Sequence, residues 1–105
     1  MWKATGAKIA LGTILPQCVA GQDVNNAAIN ANRVPINDAI RAAVGTKIDA
    51  VIDYAADPVM GPDAAACDTT LYMDGLHPTD GALGGVGGQG KLYVDYQPVV
   101  DRLLQ

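Results

Sequence analysis

Apolar residues run almost unbroken through residues 8–15 (KIALGTIL) and stop at Pro16. A run that short and that apolar predicts a β-strand covered on both faces, as in a parallel sheet. Residues 47–54 (KIDAVIDY) alternate instead, with Ile48, Ala50 and Ile52 on one side and Asp49, Val51 and Asp53 on the other, which predicts a strand nearer a sheet edge. Between them, residues 25–44 predict a helix. Ile36, Ile40 and Val44 recur at i, i+4 and i+8 as its apolar stripe, Gly45 is its stop, and Pro35 is expected to kink or restart it. Strand, helix and strand of these lengths make a right-handed crossover. A last helix is predicted over residues 89–104, with Leu92, Tyr96, Val99 and Leu103 on one stripe and Pro98 interrupting. Residues 55–73 and 79–88, rich in Gly, Pro and Asp, read as loops. Neither an internal repeat nor a domain boundary is visible, so residues 1–105 read as one unit.

Two parallel strands leave unpaired backbone on both outer edges, and a single crossover helix cannot cover both faces. A complete doubly wound domain has about five strands. The pattern therefore predicts an α/β chain that is the C-terminal portion of a doubly wound, flavodoxin-like three-layer sandwich: two parallel strands with flanking helices, a single partial domain.

Composition narrows the reading. With 105 residues, no Phe and much of the apolar content in Ala, the core is expected to be modest. All eleven acidic residues are Asp, set against seven Lys and Arg, for a net charge of −4. With no basic cluster, nucleic acid and anionic membranes are poor partners. No apolar run approaches the ~20 residues of a membrane span, and the first residues lack the apolar core of a signal peptide. Cys18 and Cys67 each follow a predicted strand, so parallel strands would bring their loops to one end of the sheet. A bridge between them, favouring an exported protein, and two free thiols are both open.

The richest chemistry lies in DGLHPTD, residues 74–80, which holds the chain's single histidine. Spacing of three within a turn lets the Asp74 carboxylate reach one ring nitrogen of His77, fixing the tautomer, while the other nitrogen faces a nucleophile. Gly75 frees the turn and Pro78 keeps His77 out of helical geometry. Competing readings are weaker. Asp74, His77 and Asp80 do not make a preorganised metal cage. A Cys67 or Cys18 thiolate paired with His77 has nothing to lower its pKa. Gly85, Gly87 and Gly90 match a phosphate-binding spacing, but no strand leads into them. The acidic residues 57–68 lack calcium-loop spacing and are expected to be solvated. No cofactor is implied.

The order of these pieces resembles the SGNH (GDSL) hydrolase family over nearly the whole chain, as that family's C-terminal part. LGTILP looks like its fourth strand; Asn30, Arg33, Asn37 and Ile40-Arg41 look like the helix that follows; IDAVIDYAAD looks like its fifth strand; and Asp74-Gly75-Leu76-His77-Pro78-Thr79 resembles its final block, which completes a Ser-His-Asp triad. The resemblance implies an ester hydrolase fragment with His77 as general base and Asp74 as its orienting carboxylate. The family's Gly-Asp-Ser nucleophile is missing, since the chain contains no serine, and so are its oxyanion-hole Gly and Asn. The chain alone is therefore expected to be inactive. Its expected partner is the missing N-terminal half or, if it is a non-catalytic remnant, a second copy of itself. The parent protein is expected to be exported.

Overall fold

The structure, a computed structural model, describes residues 6–80 and 87–105. The element order is β1 (Ala10–Gly12), α1 (Asp23–Ala42), β2 (Ala50–Ile52), two 3₁₀ turns (Tyr54–Ala56 and Asp63–Cys67) and α2 (Gly88–Leu103). β1 and β2 pair in parallel, Ala10 opposite Ala50 and Gly12 opposite Ile52, and form a two-stranded open sheet among the described residues. The chain is thus α/β, with α1 as the crossover between its parallel strands.

Both strands are shorter than the apolar runs that announce them. On β1 the ladder continues to Thr13, whose N–H donates to the Ile52 carbonyl, and then stops. At Ile14 the backbone turns to the helix instead, because the Asn37 side chain accepts from the Ile14 N–H at 2.6 Å and donates to its carbonyl at 3.0 Å. Past β2, Asp53 is held by Arg41 through two bonds of 2.8 Å and accepts from the Thr13 hydroxyl. The same hydroxyl accepts from the Ala55 N–H. Side chains take over where the ladder ends. The prediction that β1 is covered on both faces is also corrected: Leu11 is 45 % exposed.

α1 runs through Pro35 without a break, so the expected kink or restart does not occur. Its orientation departs further from expectation. Ile36 and Val44 of the predicted apolar stripe are exposed, and the buried side chains are Asn26, Arg33 and Asn37. The physical reason lies in the segment this face covers. Pro16 ends any continued strand, so residues 14–19 carry backbone groups without a ladder. A primary amide offers one acceptor and two donor hydrogens, enough to replace a strand partner. Asn37 bridges the N–H and carbonyl of Ile14, Asn30 those of Gln17, and Asn26 those of Val19. Arg33, on the same face, donates to the carbonyls of Ile14 and Gly61 and to Asp63.

The core sits where a loop was expected. Met60, Ala65, Ala66, Leu71 and Tyr72 form one buried cluster, with Leu15, Cys18 and Leu92 packed against it. Tyr72 is fully buried and its hydroxyl donates to the Met60 carbonyl at 2.8 Å. The acidic residues nearby are employed rather than merely solvated. Asp57 accepts from the N–H groups of Val59 and Met60, and Asp63 pairs with Arg33 at 2.6 Å. α2 packs on β2 with Val99 buried and Leu92, Tyr96 and Leu103 partly so, as its stripe predicts, and Pro98 does not interrupt it.

Candidate active site

The segment 71–79 folds back on itself. Tyr72 and Pro78 form an antiparallel bridge, Met73 N–H donates to the His77 carbonyl and Thr79 N–H to the Leu71 carbonyl, each at 2.9 Å. This leaves residues 73–77 as the tip. There, one oxygen of Asp74 accepts from the Leu76 N–H at 2.9 Å and the His77 N–H at 2.7 Å, while the other lies 2.6 Å from His77 Nδ1. Three donors converge on one carboxylate. The His77 N–H first, then its ring and the Leu76 N–H, hold the Asp74 carboxyl down at about 2.

His77 is two-thirds exposed, and its Nε2 has no hydrogen-bond partner among the described residues. The pair is therefore arranged with Asp74 on Nδ1 and Nε2 open to whatever approaches. A neutral imidazole bonded this way carries its proton on Nδ1 and its lone pair on Nε2.

The tip is seated on the chain leaving the C-terminal end of β1. Cys18 N–H donates to the Gly75 carbonyl at 2.7 Å. Gly75 has φ of +79° and rests so closely on this backbone that a Cβ there would lie 1.9 Å from the Cys18 carbonyl oxygen. Two requirements, a left-handed conformation and a close approach, thus fall on one glycine. Cys18 is joined to Cys67 in a disulfide, with Cα atoms 5.1 Å apart. Neither sulfur is therefore a thiolate that could serve His77 as nucleophile.

No family model, no curated protein and no solved structure matches the chain. The site is accordingly read from its own geometry.

Of the remaining candidates, Asp80 accepts from Gln89 at 3.0 Å, and among the described residues no group of three His, Cys or acidic side chains could hold a metal ion. Gly85 lies outside the described residues. Gly90 lies within the first turn of α2, and Gly88 is pressed against the Leu71 carbonyl and the Met60 side chain, so these glycines serve helix packing.

One titratable pair went unread in the sequence. Asp95 of α2 meets Asp57 carboxyl to carboxylate, and Asp95 Oδ2 is buried with no donor among the described residues. Burial first, then the bond to Asp57 and its charge, push Asp95 up to about 7. Burial also pushes Asp57 upward, but the proton that Asp95 offers, the N–H groups of Met60 and Val59, and the charge of Lys91 together bring it below its ordinary value. At 38 positions apart (95 − 57), the two carboxyls carry no sequence signal of their meeting.

Proposed function

We propose that the chain is the C-terminal part of an SGNH-type ester hydrolase, supplying the His-Asp arm of a Ser-His-Asp triad. The observation that carries this reading is the Asp74–His77 contact of 2.6 Å with Nε2 left open, on a tip docked to the chain that leaves a parallel strand. In such a triad His77 Nε2 takes the proton from an attacking serine hydroxyl and returns it to the leaving alcohol, while Asp74 holds the ring and stabilises the imidazolium. The serine and the oxyanion donors come from a segment outside these 105 residues, the strands of which complete a doubly wound sheet beside β1. The disulfide is in keeping with an exported parent protein.

The test is reconstitution. The chain alone is expected to show no turnover of short acyl esters, because a His-Asp pair without a hydroxyl offers little beyond base assistance to water. Joined to its own upstream Gly-Asp-Ser segment it is expected to turn over such esters, with His77→Ala abolishing the gain. Turnover by the isolated chain that persists in His77→Ala, or none in the joined form, sinks the proposal.

A second reading, a non-catalytic remnant that self-associates, is favoured by a different observation. Leu11, Ile14, Ile29 and Ile36 are each 39–48 % exposed, and β1 has no strand on its outer edge among the described residues. A copy of the chain could cover this surface as well as an N-terminal half.

A further inference from the structure

We infer that Asn26 and the Cys18–Cys67 disulfide are positioning elements for the Asp74–His77 pair, acting by holding residues 17–19 as the rigid seat on which Gly75 rests. The inference deepens the hydrolase reading, whose general base it concerns, but its observations and its test are independent of any substrate.

The tip that carries Asp74 and His77 is exposed at both side chains, so the core holds only its stem, through Leu71, Tyr72 and the Tyr72–Pro78 bridge. Its anchor is Gly75, the buried residue between them, through the 2.7 Å bond from Cys18 N–H and the backbone-on-backbone contact with the Cys18 carbonyl. The Asp74 turn fixes the ring locally, and the Cys18 peptide fixes the midpoint of that turn at Gly75. That peptide belongs to no helix or strand, and irregular backbone stays fixed only if its polar groups and flanks are held from outside.

Two holds converge on it from different parts of the chain. From α1, Asn26 accepts from Val19 N–H at 3.0 Å, donates to the Val19 carbonyl at 2.9 Å and also accepts from the Gln17 side chain at 2.9 Å. The disulfide ties Cys18 to the end of the Asp63–Cys67 turn, whose Ala65 and Ala66 belong to the buried cluster. Asn37 supplies the comparison. It holds Ile14 with the same pair of amide bonds but lies away from the seat, so its loss removes comparable stabilisation and leaves the tip where it is. Positioning and stability are thereby separable.

The experiment reads the tautomer of the neutral His77 ring by ¹⁵N NMR, in chains that retain native helix circular dichroism. The native chain is expected to show the Nδ1–H tautomer. Asn26→Ala, and separately the double substitution Cys18→Ala with Cys67→Ala, are expected to reduce the Nδ1–H population about twofold or more, whereas Asn37→Ala leaves it unchanged while also lowering the melting temperature. Should the double variant fail to fold, Asn26→Ala against Asn37→Ala decides alone, since both keep the disulfide. A folded Asn26→Ala chain with the native tautomer population, or an equal fall in Asn37→Ala, overturns the inference. If the tautomer responds as expected while the reconstituted chain hydrolyses no ester, the positioning stands and the hydrolase reading falls. Ester turnover with an unresponsive tautomer separates them the other way.

Discussion

Gly75 is the residue on which the geometry of the tip turns. An alanine there would meet the left-handed conformation, which L-residues adopt reluctantly, and a carbonyl oxygen at 1.9 Å that belongs to backbone and cannot swing aside. Gly75→Ala is expected to cost about 2 kcal/mol or more in urea unfolding, and Gly21→Ala, at φ of +78° with nothing within 4 Å, only the smaller backbone part. Equal losses would show that the seat is not in contact. Asp74 gives a second expectation at this scale. Its carboxyl, held near 2 against an ordinary 3.8, gains its folded-state interactions in the ionised form. Their stabilising contribution is therefore present above the unfolded value and lost as pH falls through about 2. A ¹³C carboxyl titration should place the Asp74 midpoint below those of the exposed aspartates, and His77→Ala should move it part of the way back, because the backbone N–H bonds remain. The tip was legible in the sequence because all its parts are local: Asp, Gly, His and Pro within five residues dictate an Asx-type turn by themselves. The second demand on Gly75, contact with Cys18, was not, since it is set by chain 57 residues earlier (75 − 18).

At the scale of elements, α1 shows where pattern reading fails and why. Periodicity identifies a helix, and this helix exists within two residues of its expected bounds. Choosing the buried face by hydrophobicity assumes that the surface it covers is apolar. Here that surface is the bare backbone of residues 14–19, and the amide side chains win because an unpaired buried peptide group costs more than an uncovered isoleucine forgoes. The signal was present as Asn26, Asn30, Arg33, Asn37 and Arg41, spaced 4, 3, 4 and 4, a stripe as regular as the isoleucines beside it. Asn37→Ala is accordingly expected to destabilise by about 2 kcal/mol through two orphaned backbone groups, and Ile36→Ala, at 48 % exposure, by clearly less. Helix α2 adds a pH dependence. The folded value of Asp95, about 7, is raised above its ordinary 3.8, so the contribution of its proton to stability is present at low pH and lost as pH rises through about 7. The melting temperature should fall as pH rises from about 4 to about 7 and level off above. Asp95→Asn, which supplies a permanent donor toward Asp57, should flatten that fall.

For the whole molecule the decisive quantity is surface left uncovered. The sheet has two strands among the described residues, and a two-stranded sheet with one crossover helix stays marginal unless its edges and faces meet something else. The two-stranded sheet was legible in the sequence, because residues 8–15 and 47–54 carry the chain's two strand patterns. What the pattern did not reveal is that residues 55–73, Gly, Pro and Asp-rich, would fold into the compact cluster around Met60 and Tyr72 and give the chain a core away from the sheet. That core has a consequence for association. With its own buried cluster and a disulfide closing 49 residues of chain, a bridge worth about 4 kcal/mol in the chain-entropy model, the molecule need not unfold in order to expose its sheet. It is expected to remain folded and to associate through Leu11, Ile14, Ile29 and Ile36 rather than to aggregate from an unfolded state. Sedimentation velocity at about 10–100 μM, the range in which weak protein contacts populate, should show reversible self-association. Leu11→Lys with Ile36→Lys should return the chain to monomer with its melting temperature nearly unchanged, since both side chains already meet solvent. A native chain that sediments as a monomer throughout, or a double variant that melts far lower, would mean that these residues pack within the chain instead of awaiting a partner.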